Sequence, residues 1–333
     1  MPRVSILLPV YQAETTLPAC LRSIVRQTLD DWRCVIVDDG STDRTIARAR
    51  SHAAREPRFE VVRTPHRGIV RALNLGLEHC TGEFVARMDG DDLMHRERLA
   101  QQVRHLRKHP ELAGAGCHVR LFPRRALGDG LRAYERWLGS IDDAGRVRAE
   151  AFVECPVAHP TWMIRRDVLT AHPYRDAGWP EDYDLLLRLL AAGHDVGVVP
   201  RRLVSWREHE NRLTHRADAY RIEQFARLKA AFLRRGFLAR HLTYVLWGYG
   251  HTGRTLRREL LARERRPSHI VEVHPGRVGQ RIHGAPVISP DELADVRGEP
   301  IVVSVAGVGP RGEVRRALAR MGFAELRDFV CAA

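Results

Sequence analysis

Over residues 1–120, short β-rich runs alternate with stretches of helical apolar spacing, which restricts the chain to a layered α/β fold with a largely parallel sheet. Val4–Pro9 is the first run, and Thr15–Gln27 follows with Leu17, Leu21, Ile24 and Val25 at helical spacing. Trp32–Val37 predicts a second strand, Ser41–Ser51 a helix, Phe59–Arg63 a third strand, Ile69–His79 a helix and Glu83–Met88 a fourth strand. A helical pattern resumes near His95. In such sheets ligands gather at the carboxyl ends of the strands. Two acidic clusters fall there: Asp38-Asp39-Gly40 after the second strand and Asp89-Gly90-Asp91-Asp92 after the fourth.

From Pro123 to Arg148, Gly and Asp mark loops around short helical pieces. Thr161–Ile164 predicts a strand, Pro180–Ala192 a helix, Val196–Val199 a strand and Tyr220–Arg235 a long helix. After Arg235-Gly236 the rhythm restarts with Leu242–Trp247, Thr252–Arg263, Ile270–Val273, Ile301–Val305 and Gly312–Met321. Two domains are therefore expected, residues 1–235 and a smaller α/β domain over 236–333.

No run of about 18 apolar residues is present, as a spanning helix would need. The start is too short in its apolar part for a signal peptide, so a cytoplasmic protein is expected. Six cysteines are scattered without a Cys-x-x-Cys pair, which argues against a zinc site and a disulfide framework. A net charge of +13 suits phosphorylated ligands or peripheral contact with an anionic membrane at its inner face. No basic motif interleaved with aromatics is found, which excludes nucleic acid from the expected partners.

Each candidate site residue has a plain structural role to weigh beside a chemical one. Ser41 or Thr42 can cap a helix and Asp43 can complement its positive end. Asp38 and Asp39 are not explained that way and can accept hydrogen bonds from a nucleobase or ribose. Asp89, Asp91 and Asp92 repel one another unless a cation sits among them. Hard ions such as Mg²⁺ or Mn²⁺ favour such oxygens and share them with phosphates. Glu181 and Asp182 follow Pro180, an ordinary helix start, or else supply a general base. His159 is a structural histidine or a ligand contact.

Read together, Leu8-Pro9-Val10-Tyr11, Val35-Ile36-Val37-Asp38-Asp39-Gly40-Ser41-Thr42-Asp43, Gly68-Ile69-Val70-Arg71-Ala72-Leu73-Asn74-Leu75-Gly76 and Gly82-Glu83-Phe84-Val85-Ala86-Arg87-Met88-Asp89-Gly90-Asp91-Asp92 resemble a family 2 glycosyltransferase. The resemblance continues through His159-Pro160-Thr161, Arg165-Arg166 and Glu181-Asp182-Tyr183-Asp184, and spans roughly residues 3–215. It implies a GT-A fold: a mostly parallel central sheet flanked by helices. It also implies inverting, metal-dependent transfer of a sugar from a UDP-, GDP- or dTDP-type donor to a glycan or lipid-linked acceptor, in surface polysaccharide or glycolipid synthesis. By the same resemblance Pro9, Tyr11, Asp38, Asp39 and Arg71 line the donor pocket. Asp89 and Asp91 hold Mn²⁺ or Mg²⁺ with the diphosphate, and Asp182 is the base. Glu181, His159 and His209 are acceptor or diphosphate contacts.

In the second domain Gly248-Tyr249-Gly250-His251-Thr252-Gly253 is a Gly-x-Gly-x-x-Gly between a strand and a helix. Glu272 lies nineteen residues beyond Gly253, where a ribose-binding acid belongs in a dinucleotide fold. A Rossmann-like domain of nucleotide-binding or scaffold role is expected. The rival functions are a non-catalytic nucleotide-sugar module, which would lack a metal carboxylate or the base, and a bifunctional protein with a dinucleotide-binding C-terminal domain.

Overall fold

The structure, a computed structural model, describes residues 2–210, 212 and 217–333. The end of the stretch that carries the family resemblance, residues 213–215, lies outside them. Strand β1 (Val4–Val10) is buried along its whole length, as its apolar run requires. Beside it lie β2 (Trp32–Asp39), β3 (Phe59–Thr64) and β4 (Phe84–Arg87), all parallel, in the order β3-β2-β1-β4. Helices α1 (Leu17–Val25), α2 (Thr45–Ala53) and α3 (Ile69–Glu78) make the crossovers. Leu17, Leu21 and Ile24 of α1 pack into one core with Ile6 and Leu8 of β1 and Ile36 of β2. Each such buried side chain contributes about 1.5–3 kcal/mol of transfer free energy.

Helix α2 begins at Thr45, four residues later than the pattern predicts, because Ser41 and Thr42 serve another loop rather than a cap. The Ser41 hydroxyl accepts the Gln12 N–H, and the Thr42 hydroxyl accepts the Gln12 amide. The Gln12 Oε1 in turn accepts the Thr42 and Asp43 N–H groups. The loops after β1 and β2 are thereby laced together.

Beyond β4 the first sheet turns mixed. The short β5 (Leu93–Met94) precedes α4 (Arg98–Lys108) and β6 (Leu112–Phe122). Further along come β7 (Met163–Arg165), α8 (Glu181–Ala191) and β8 (Asp195–Arg207), with α5 (Asp129–Leu138), α6 (Ala144–Glu150) and α7 (Arg166–Ala171) in the connections. The order continues β4-β7-β6-β8-β5, with β7 antiparallel to both β4 and β6. Strand β6 is missing from the sequence expectation because Leu-Ala-Gly-Ala-Gly lacks β-branched residues. Its glycines are there for close packing. A Cβ at Gly114 would lie 2.7 Å from the Met163 carbonyl oxygen, and one at Gly116 would lie 2.1 Å from Val157 Cγ1. The strand expected at Thr161–Ile164 starts two residues later, since His159–Thr161 forms a 3₁₀ turn.

By contacts the chain forms two compact units. One comprises Met1–Val147, Val157–Ala177 and Glu181–His215, and the other Arg148–Pro156, Gly178–Pro180 and Arg216–Ala333. Helix α9 (Ile222–Arg235) lies in the second, its Ala230 and Leu233 in a core with Tyr244 and Leu246, whereas the sequence pattern sets the boundary at Arg235–Gly236. The second sheet contains β9 (Thr243–Trp247), β10 (Arg266–Val271), β11 (Arg281–Ile282), β12 (Ala285–Ile288), β13 (Ile301–Val303) and β14 (Phe329–Cys331). They run in the order β11-β12-β10-β9-β13-β14, and all but β11 are parallel. With β11 set aside, this is the 3-2-1-4-5 order of a doubly wound sheet. Helices α10 (His251–Leu261) and α11 (Val308–Arg320) lie in its connections. Among the described residues no helix is long and apolar enough to cross a membrane.

Candidate active site

The ladder between β1 and β4 stops at Leu7 and Arg87, while β1 continues beside β2 to Val10 and Asp38. Pro9 has no N–H with which to extend the pairing to β4. The two strands therefore part at the point where the sheet order reverses, the place where such sheets form a ligand crevice. The acidic segment after β4 crosses there. Gly90 is needed for fit rather than for a left-handed turn, since a Cβ on it would lie 2.9 Å from Val10 Cγ1.

Asp89, Asp91 and Asp92 each present a carboxylate oxygen, all within 4.8 Å of one another. The protein supplies part of the balancing charge. Arg87, buried at the end of β4, forms an ion pair with Asp89. His209 Nε2 lies 2.8 Å from Asp91 Oδ2. The Arg207 N–H donates to Asp92 Oδ1 at 2.7 Å, and its Nε donates to the Asp91 carbonyl at 2.7 Å. Burial, with neighbouring Asp91 and Asp89, still pushes the Asp92 carboxyl well above its ordinary range. Burial and Asp89 push Asp91 the same way, against the pull of His209. Asp92 Oδ2 is buried with no hydrogen-bond partner. Three clustered carboxylates with one orphaned oxygen form the hard donor set that Mg²⁺ or Mn²⁺ prefers, so these residues fit such an ion.

The second acidic cluster divides its duties. Asp39 accepts the backbone N–H groups of Arg67 and Gly68, both at 2.9 Å, and so ties β2 to the start of α3. Asp38 is fully buried; its Oδ1 accepts the Ser41 N–H, and its Oδ2 lies 3.5 Å from Arg63 Nε. Nearby, the half-exposed Tyr11 ring stacks on His66 at 4.1 Å between centroids, offering a flat aromatic face. Arg71, Arg67 and Asn74 of the α3 region line a cavity of about 470 Å³ together with Thr64, Tyr174 and Asp176.

Glu181 and Asp182 open α8, Glu181 buried and Asp182 partly exposed. The buried Tyr174 hydroxyl responds electrostatically to both groups. Burial raises its pKa, Arg87 lowers it, and Glu181, Asp182 and Asp89 raise it further, so these groups share one neighbourhood. His159 lies within it but below the surface. Its Nε2 is 2.9 Å from the Tyr174 hydroxyl and its Nδ1 is 3.8 Å from Glu181. Burial and then Arg87 hold its pKa well below the histidine range, so the ring is neutral. Its ring packs on Trp162 and Tyr174.

Arg87, Arg63, His66, Tyr174 and the buried Arg98 escape sequence reasoning. One signal was present, because an arginine inside the apolar run Phe84-Val85-Ala86-Arg87 needs a buried partner. Arg98 donates to the carbonyls of Arg87 (2.8 Å) and Trp162 (3.2 Å), and to Gln102 Oε1 (2.9 Å).

In the second unit the glycines fit their turn for separate reasons. Gly248 has φ +95°, and a Cβ on Gly253 would lie 2.3 Å from the Gly248 carbonyl oxygen. Gly250 faces open space. Glu272, just past β10, accepts the Tyr249 N–H at 3.0 Å and pairs with Arg277 at 3.2 Å, so its carboxylate braces the turn itself.

The comparisons with known proteins bear on the family and the fold. The family model for glycosyl transferase family 2 matches residues 5–172. The amylovoran biosynthesis glycosyltransferase AmsE of Erwinia amylovora is 32% identical over 249 residues, covering 73% of this chain and 91% of that one. Among solved structures, S. aureus TarS 1-349 in complex with UDP-GlcNAc superposes with a TM-score of 0.55 at 17% identity, covering 78% of this chain and 71% of that chain. The mannosyltransferase PcManGT from Pyrobaculum calidifontis, in complex with GDP-Man and Mn²⁺, has a TM-score of 0.54 at 21% identity and covers 79% and 69%. The fold is thus of the GT-A type. The chain belongs to glycosyltransferase family 2, and it is a glycosyltransferase.

Proposed function

We propose that the first unit transfers a sugar from a nucleoside diphosphate to a hydroxyl acceptor, inverting the anomeric carbon, in the synthesis of a surface polysaccharide or glycolipid. The single observation that carries this is the cluster of Asp89, Asp91 and Asp92 at the switch point of the first sheet, with carboxylate oxygens within 4.8 Å of one another and the buried Asp92 Oδ2 without a hydrogen-bond partner. The names of relatives add support, one acting in amylovoran biosynthesis and others bound to UDP-GlcNAc or GDP-Man.

In this reading the donor base lies against Tyr11 and Pro9, with the buried Asp38 and the Asp39-braced loop setting its edge and Arg71 beside it. Asp89 and Asp91 would hold Mn²⁺ or Mg²⁺, with Asp92 Oδ2 within reach. That ion would supply charge stabilisation to the departing diphosphate worth several kcal/mol. Asp182 removes the acceptor hydroxyl proton as that oxygen attacks the anomeric carbon. The bond from carbon to the diphosphate oxygen breaks on the opposite face, and the electron pair leaves with the diphosphate. Glu181, held beside His159, sets the position of Asp182. His209 and Arg207 face the phosphate side through Asp91.

A donor-hydrolysis screen with UDP-, GDP- and dTDP-sugars, each with Mn²⁺ and with chelator, tests the reading. One donor class should turn over only with the ion. Turnover that is equal in chelator would remove the metal assignment, and no turnover of any donor would remove the substrate class. For the second unit, the open Gly250 turn supports nucleotide binding while the occupied Glu272 speaks against a ribose contact. Fluorescence titration with NADH separates a dinucleotide site from a scaffold.

A further inference from the structure

In the second unit, the loop after α9 and the turn after α10 meet at the amino ends of β9 and β10. The Leu242 carbonyl accepts the Arg266 N–H at 3.2 Å, and the Leu261 carbonyl accepts the Glu264 N–H at 3.0 Å. The buried Arg265 staples the two segments, donating from Nε to the Leu238 carbonyl at 3.2 Å and from Nη1 to the Glu264 carbonyl at 3.2 Å. The surface is therefore preformed.

Two leucines stand out on it, Leu242 with 68% and Leu261 with 49% exposure. Arg240 and His241 precede Leu242, Arg266 is hydrogen-bonded to it, and all three are exposed, as are Arg234 and Arg235 at the end of α9. Among the described residues, the ion pairs of α10 join Arg258 and Arg263 to Glu259, and no ion pair takes in Arg234, Arg235, Arg240 or Arg266. Glu264 is the one exposed acid in these two segments. Exposed leucines beside unpaired arginines match a bilayer: the apolar tips enter the interface while the guanidinium groups meet anionic headgroups. In a parallel sheet the amino ends lie opposite the carboxyl ends, so the Gly248 turn would remain open to solvent.

We propose that this Leu242–Leu261 surface docks the second unit on an anionic lipid bilayer. The docking surface is independent of the sugar-transfer chemistry of the first unit.

The test is cosedimentation of the full chain with vesicles of phosphatidylcholine alone or mixed with phosphatidylglycerol. The wild type should pellet with the anionic vesicles only, and less so as salt rises. Arg240→Ala with Arg266→Ala should weaken binding roughly 25-fold, about 5-fold per arginine. Leu242→Ser should weaken it about tenfold without a change in charge. All these side chains are exposed, so thermal midpoints should hold. Equal binding to both vesicle types, or unchanged binding by the variants, would overturn the proposal. So would loss of a dimer in Leu242→Ser without any vesicle binding, which would make the surface an interface between copies. Retention on DNA with vesicles ignored would overturn it equally.

Discussion

Replacing Arg98 by methionine should destabilise the first unit by about 2–3 kcal/mol, although it removes a charge from a fully buried position. Arg87 and Trp162 face each other at the end of the antiparallel β4–β7 pair, where two reciprocal backbone hydrogen bonds would be expected. Only one forms, from the Arg87 N–H to the Trp162 carbonyl at 2.8 Å, because the Trp162 N–H turns back to His159 in the 3₁₀ turn. Arg98 Nη2 fills the vacancy at the Arg87 carbonyl at 2.8 Å. Methionine would orphan that carbonyl and Gln102 Oε1, whose amide nitrogen is already donating to Ala115 and Thr161. Two orphaned acceptors cost about 2–6 kcal/mol. Relief from burying a guanidinium, which is strained enough to pull its pKa down to about 10, offsets part of that. Urea unfolding followed by tryptophan fluorescence should show the midpoint falling at unchanged slope, by about 1 M. Arg98→Lys, which keeps the charge but not the fork, should recover only part of the loss. A methionine variant as stable as wild type would refute the ladder-completing role, because the orphaned acceptors would then cost nothing.

Asp182→Asn should retain donor affinity by calorimetry but lose about 10²–10⁴ in transfer rate, and a wild-type rate would remove the base assignment. The depressed pKa of His159 means the unfolded chain takes up its proton first as pH falls below about 6.5. Stability from this group is complete above that value and is lost in acid. His159→Gln should therefore flatten the fall in unfolding midpoint between about pH 7 and 5, and an unaltered slope would show that other groups dominate. Gly253→Ala should cost the second unit about 1–3 kcal/mol in thermal unfolding, since its Cβ would meet the Gly248 carbonyl oxygen at 2.3 Å. Gly250→Ala, with nothing within 4 Å, is the matched control and should cost far less.

Much of this protein could be read without coordinates because the signals are local. The burial of β1 along its length follows from Val4-Ser5-Ile6-Leu7-Leu8, and α1, α3 and α9 follow from apolar spacing. That acidic residues end β2 and follow β4 is a matter of order along the chain, and the parallel βα rhythm then puts both clusters at the same edge. The loss of Ser41 and Thr42 as caps could not be read, since it depends on Gln12 reaching across from another loop. Nor could β6, where neighbours that approach within Cβ distance require the glycines that weaken its strand signal.

The same division holds at the site. Sequence alone determined the parallel framework, the family and the candidate acids, because periodicity, composition and motif order act over a few residues. Tertiary structure alone decided which partner meets which acid: Arg87 with Asp89, His209 with Asp91, the Arg207 N–H with Asp92, and the start of α3 with Asp39. Such pairings depend on strand order and register, which bring residues more than a hundred positions apart within 3 Å, as His209 and Asp91 are at 2.8 Å. No local pattern encodes that distance.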